Sequence, residues 1–187
     1  MEKAVLVSTV LCALLTFAAG SVCEGIWKID KVEKCENYEQ YPIALEVSKK
    51  KVARNTDGFS MEMKLPEDFD SNYGLRLESY EKCDGGYKAS DLIAGAACDM
   101  LNRYVKENFQ DLLGAAGVES RNCPIPKGKF EIKDYVVNYA TLPEQGKCGD
   151  YKWDIFLIKN GEKQSCVRAF TTFTAKEENY EEEEEDR

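Results

Sequence analysis

Tyr151-Lys152-Trp153-Asp154-Ile155-Phe156-Leu157-Ile158, followed by Asn160-Gly161 and then Ser165-Cys166-Val167-Arg168-Ala169-Phe170, is the stretch that decides the fold. Tyr151, Trp153, Ile155 and Leu157 alternate with Lys152, Asp154, Phe156 and Ile158, the period-two pattern of a strand with one apolar face. The second set turns apolar at Phe156 and Ile158, which predicts cover on both faces at that end. Asn160-Gly161 predicts a two-residue hairpin, because both types tolerate the positive φ angles that such a turn needs. The returning strand carries Cys166, so the hairpin is a point where a β-domain can be cross-linked.

Working upstream, Asn122-Cys123-Pro124-Ile125-Pro126-Lys127-Gly128 reads as a proline-punctuated turn beside a cysteine, and Phe130 and Ile132 leave it in strand alternation with Glu131 and Lys133. Phe59, Met61, Met63 and Leu65 alternate with Ser60, Glu62 and Lys64, and Pro66 ends that strand. Leu75 and Leu77 repeat the pattern against Arg76 and Glu78, as do Leu45 and Val47 after Pro42. Between the two β-regions, apolar residues from Leu92 to Leu113, including Met100, Tyr104 and Phe109, recur at helical spacing. This predicts one substantial helix, N-capped by Ser90, stopped by Gly114 or Gly117, and up to roughly 35 Å long at 1.5 Å per residue.

The first twenty residues read as a secretory signal: Lys3, an apolar run from Ala4 to Ala19, and Ala18-Ala19-Gly20 before a cleavage point at Ser21. The expected organisation is signal peptide 1–20, one domain 21–175 and an acidic tail 176–187. Residues 177–187 hold eight acids and one arginine, so most of the net charge of −9 belongs to the tail and the body is nearly neutral. A neutral body excludes the basic surface that nucleic-acid binding requires. Seven cysteines follow the signal, which behind a secretion signal reads as a disulfide framework with one thiol left over. Cys23, close to the expected new N-terminus, is the candidate for the odd one. Metal binding is not expected, since the chain has no histidine and no C-x-x-C pair. No N-x-S/T sequon occurs.

Catalysis finds little support in the residues. Without histidine there is no Ser-His or Cys-His pair. Glu67, Asp68 and Asp70 gather about Pro66 and Asn72, which is loop composition. No phosphate-binding or dinucleotide motif appears. The expectation is a protein that binds rather than reacts.

The order of parts over residues 27–174 resembles the ML-type lipid-recognition β-cup family, which includes the ganglioside activator protein and insect chemosensory relatives. The residues that carry the resemblance are Cys98-Asp99-Met100-Leu101 in the helical region, Asn122-Cys123-Pro124 with Lys127-Gly128, and Tyr151 to Cys166 ending Ser165-Cys166-Val167. The resemblance implies a mainly β, two-sheet sandwich or cup with one substantial helix. It implies disulfides Cys35–Cys166 and Cys98–Cys123, and it leaves Cys83 with Cys148. By alternation alone, the inward apolar residues fit a closed core or a cavity wall, and such alternation is more often simple packing. The resemblance implies the second, a hydrophobic cavity lined by Phe59, Met61, Met63, Leu65, Leu75, Leu77, Met100, Tyr104, Phe130, Trp153, Ile155 and Leu157. Tyr73, Tyr87 and Lys88, which lie in Gly-containing turns, are rim candidates. The implied function is non-enzymatic and needs no cofactor: a secreted or lysosomal carrier of a lipid or other long-chain hydrophobic ligand, meeting a membrane surface, an enzyme or a receptor. The alternative is an interaction module with a closed core that binds through its surface or its acidic tail.

Overall fold

A computed structural model describes residues 22–176. The expected signal peptide and all of the acidic tail but Lys176 lie outside the described residues.

Nine strands form two antiparallel sheets. The strands are β1 (Val22–Lys34), β2 (Leu45–Ala53), β3 (Thr56–Leu65), β4 (Tyr73–Cys83), β5 (Gly86–Ala96), β6 (Gly128–Tyr135), β7 (Gln145–Lys147), β8 (Gly149–Lys159) and β9 (Glu162–Ala175). The larger sheet has the order β5-β4-β8-β9-β1-β7 and the smaller the order β2-β3-β6. Two helices, α1 (Ala97–Tyr104) and α2 (Lys106–Ala115), lie between β5 and β6 in the chain. The protein is therefore a disulfide-tied β-sandwich, as the alternation predicts.

The β8–β9 hairpin turns on Asn160 and Gly161, with φ of 52° and 80°, the backbone geometry expected of Asn-Gly. β3 stops at Leu65, just before Pro66. Phe156 is buried on the outer face of the larger sheet, where it packs with Cys35, Cys166 and Tyr41. This is the two-sided cover that the apolar end of the β8 sequence predicts.

The helical region departs from expectation. One helix capped at Ser90 was expected; instead β5 runs on to Ala96 and two short helices follow. Ser90 caps nothing, and its hydroxyl donates to the Asp91 carboxylate at 2.7 Å. Pairing with β4, in which Leu77 faces Ile93, holds this segment extended. Apolar spacing here satisfies a strand edge as readily as a helix face. Val105 breaks the helix at φ −142°, ψ 31°. Gly117 ends α2: its N–H donates to Gly114 O and the Val118 N–H to Leu113 O, both at 2.9–3.0 Å, the paired bonds of a left-handed helix stop.

The disulfides are Cys35–Cys166, Cys98–Cys123 and Cys23–Cys148, and Cys83 is free. The first two agree with the pairing that the resemblance implies. The expected Cys83–Cys148 pair is replaced, and Cys23 is not the odd thiol. The reason is strand pairing. Val22, Cys23 and Glu24 pair with Lys147, Gly146 and Gln145, so the start of the domain is held and Cys23 is carried to Cys148. Cys83 lies exposed at the tip of the β4–β5 hairpin.

Candidate functional site

The inward faces of the two sheets are mostly apolar rows set by register. In the smaller sheet Leu45 pairs with Met63 and Met63 with Phe130, and in the next row Val47 pairs with Met61 and Met61 with Ile132. In the larger sheet Leu75 pairs with Leu157, and Leu77 with Ile155 and through it Val167. Trp153 pairs with Ser79 and Ala169.

One end of the sandwich carries the helices. There α1 and α2 close the sandwich, and Leu65, Phe69, Tyr73, Phe109, Leu113 and Leu157 form one buried cluster. Cys98–Cys123 ties α1 to the Cys-Pro turn at this end. Farther along, Phe59, Ile132 and Ala169 are buried, while Val47, Met61, Leu77, Trp153, Ile155 and Val167 are only part-buried and belong to neither buried cluster.

Beyond them lies an aromatic group. The Trp27 ring stands 4.6 Å from Phe173, 5.8 Å from Tyr151 and 6.2 Å from Trp153, centroid to centroid. Phe173 is almost wholly buried, and a side chain at Gly25 would come within 2.8 Å of its ring. Glycine is required there for the close approach of β1. The indole N–H groups are satisfied: Trp27 donates to Pro143 O and Trp153 to Thr171 Oγ1, each at 2.9 Å.

Residues 136–144 cross this end from β6 to β7. Asn108 of α2 anchors the crossing. Its amide donates to Asn138 O at 2.9 Å and Thr141 Oγ1 at 2.8 Å, and it accepts from the Tyr135 hydroxyl and the Asn138 N–H. Tyr139 reaches the far side, where its hydroxyl accepts from the Ile29 N–H at 3.3 Å. Burial pushes the Tyr139 phenol above its ordinary pKa, so it stays neutral. Beneath the crossing, Ile26, Trp27, Tyr139, Leu142 and Pro143 line a depression of about 230 Å³.

The sequence-predicted site residues divide in three. Met61, Met63, Leu75, Leu77, Trp153 and Ile155 are inward and part-exposed. Phe59, Leu65, Met100, Phe130 and Leu157 are buried packing residues. Tyr104 is 41 % exposed and joins no cluster. Of the rim candidates, Tyr73 is buried in a stack on Phe69, while Tyr87 and Lys88 lie exposed on β5. Sequence reasoning missed Trp27, Phe173, Val47 and Val167. Trp27 and Ile29 alternate with Lys28 and Asp30, a signal that was present, but the bulge after Ile29 cuts the pattern short.

Other polar groups have structural duties. Glu67 pairs with Lys159 and accepts from the Tyr73 hydroxyl. Asp68 accepts from the Lys127 N–H, and Asp70 caps the turn at Asn72. On the outer face of the larger sheet, Arg168 makes a two-pronged pair with Asp154 at 2.6 and 2.9 Å. This bonding to Asp154 holds the guanidinium proton still more firmly than usual. A second depression, of about 350 Å³, lies over the polar outer face of the smaller sheet, among Glu46, Ser48, Ser60, Glu62, Glu131 and Lys133. Its charged groups are largely paired with one another or with neighbours. Among the described residues no cluster of potential ligands is suited to a metal, and no helix is long and apolar enough to cross a membrane.

No protein-family profile matches the chain, and no curated protein matches it.

Proposed function

We propose that the protein is a secreted, non-enzymatic carrier that takes a lipid or other long-chain hydrophobic ligand between its sheets and presents it to an enzyme, a receptor or a membrane. The observation that carries this reading is the change along the inward rows. Met61, Leu77, Trp153 and Ile155 point inward, are apolar, and remain part-exposed, whereas the same strands are sealed at the helix end. Apolar surface left open between two sheets is stabilised by an apolar guest: each buried methylene contributes about 0.8 kcal/mol. A sixteen-carbon chain gains on the order of 10 kcal/mol before the costs of ordering. Methionine suits such a wall because its side chain adapts to varied apolar shapes. Three disulfides support the extracellular setting. The resemblance to the lipid-recognition β-cup family adds to this reading through its two matching disulfides.

The test uses a property of this chain. Its two tryptophans, Trp27 and Trp153, both stand at the aromatic end of the interior. A brominated fatty acid that enters between the sheets quenches their emission, and native mass spectrometry shows one bound chain. Emission unchanged at saturating fatty acid, with only the bare protein mass, sinks the proposal and favours a closed interaction module.

A further inference from the structure

The larger sheet ends at β5 and at β7, which covers only Val22, Cys23 and Glu24 of β1, and the smaller sheet ends at β2 and β6. Along β1, Lys49 Nζ donates to the Ile29 and Asp30 carbonyls at 2.7 and 3.1 Å. β2 carries Lys49, Lys50 and Lys51, and such charge blunts an edge. β6 has α2 against it, with Tyr135 donating to Asn108. β5 is different. All its residues except Ile93 are exposed, it contains no proline, and it carries a single lysine. Leu92 is 59 % exposed and Tyr87 37 %.

We propose that β5 is a pairing edge for a second copy of this chain, joined antiparallel about a two-fold axis between Ala89 and Ser90, so that two six-stranded sheets become one. The inference is independent of what the interior binds. In this register Tyr87 opposes Leu92 of the second copy, and Lys88 opposes its Asp91. Symmetry repeats both pairs, giving two apolar and two opposite-charge contacts.

The register works because of a bulge. Residues five apart on a regular strand point to opposite faces. The β4–β5 ladder shifts between Glu78 and Tyr80, and the extra residue brings Tyr87 and Leu92 to the same face. Tyr87 opposes Lys82 and stands 5.8 Å from Phe170, with Lys152 over its ring. Leu92 opposes Glu78, whose carboxylate pairs with Arg76 on that same outer face. Lys88 and Asp91 then share the inner side. The backbone agrees. Asp91 turns its N–H and its carbonyl to Ser79 Oγ, at 2.9 and 3.3 Å, so the alternation of the ladder turns those of Leu92 outward, free to bond a facing strand.

Sedimentation equilibrium tests this in a Cys83→Ser background, which removes any cross-link through the free thiol. The background protein is expected to dimerise reversibly. Lys88→Asp and Asp91→Lys each place two like-charge pairs across the axis and weaken the dimer about tenfold. The double exchange Lys88→Asp/Asp91→Lys restores it. A chain that stays monomeric to about 1 mM, the weak end of specific association, overturns the proposal. So does a dimer indifferent to both single changes, or one that the double exchange fails to recover.

Discussion

The helix end of the sandwich and the middle of its strands treat an apolar interior differently. At the helix end, Phe109 and Leu113 of α2 fill the space between Leu65 and Leu157, and the cluster is sealed. A few residues along, Met61, Leu77 and Ile155 join no buried cluster and stay part-exposed. The alternation is equally regular in both places. At the helix end the sealing comes from a third element laid across the strands, not from their composition.

The largest effects should come from the two fold-wide staples, Cys35–Cys166 and Cys23–Cys148. Cys35–Cys166 spans 131 residues, and chain entropy alone puts its removal at about 5 kcal/mol. Denaturant unfolding of Cys35→Ala/Cys166→Ala measures this, and a loss near zero would mean the outer-face packing of Phe156 and Tyr41 holds β1 to β9 without it. Next is Phe109→Ala. A buried aromatic replaced by alanine costs 3–5 kcal/mol, and fatty-acid uptake per folded molecule should stay unchanged. Uptake per folded molecule that falls together with stability would erase the distinction between the two regions. Asn108→Ala should cost roughly 1–2 kcal/mol, because it removes several hydrogen bonds of one buried amide to part-exposed partners. Its diagnostic signature is faster hydrogen exchange confined to residues 136–142.

The sharpest contrast is Met61→Ala/Met63→Ala. Part-exposed side chains leave small cavities, so stability should fall by only about 1–2 kcal/mol, below the Phe109 value. Uptake should fall about tenfold, the equivalent of roughly two lost methylene contacts. A full core-sized stability loss with undiminished uptake would place these methionines in packing and refute the wall.

The strands were legible because each signal was local. Phe59 to Leu65 ends at a proline, and Tyr151 to Leu157 ends at Asn-Gly, so pattern and punctuation agree. The Leu92–Leu113 region was misread because Leu92 and Ile93 satisfy two periods at once. Pairing with β4, separated in sequence and invisible to a window, chose the strand. The candidate site was half legible for a related reason. Alternation finds which residues face inward, Met61 and Trp153 among them, but not which of these a helix will later cover. Phe130 and Leu157 fit the same pattern and are buried. The bulge in β1 hid Trp27 by shifting the period after Ile29.

The smallest effect concerns the thiol that sequence reasoning placed in a bridge. Cys83 is exposed at a hairpin tip, beside Gly85 and Gly86 with φ of 92° and 122°. Its replacement by serine removes no buried contact, so Cys83→Ser should leave stability within about 0.5 kcal/mol. Cys148→Ser should behave differently, since it frees Cys23 and opens a cross-link across 125 residues, worth about 5 kcal/mol by chain entropy. Thiol labelling before denaturation should then modify Cys83 alone in the parent protein. Labelling of Cys23, with Cys83 protected, would mean that the β1–β7 pairing does not hold the start of the domain in solution. The aromatic end, where Phe173 packs against Gly25 and Gly146, would then lose the strand that closes it.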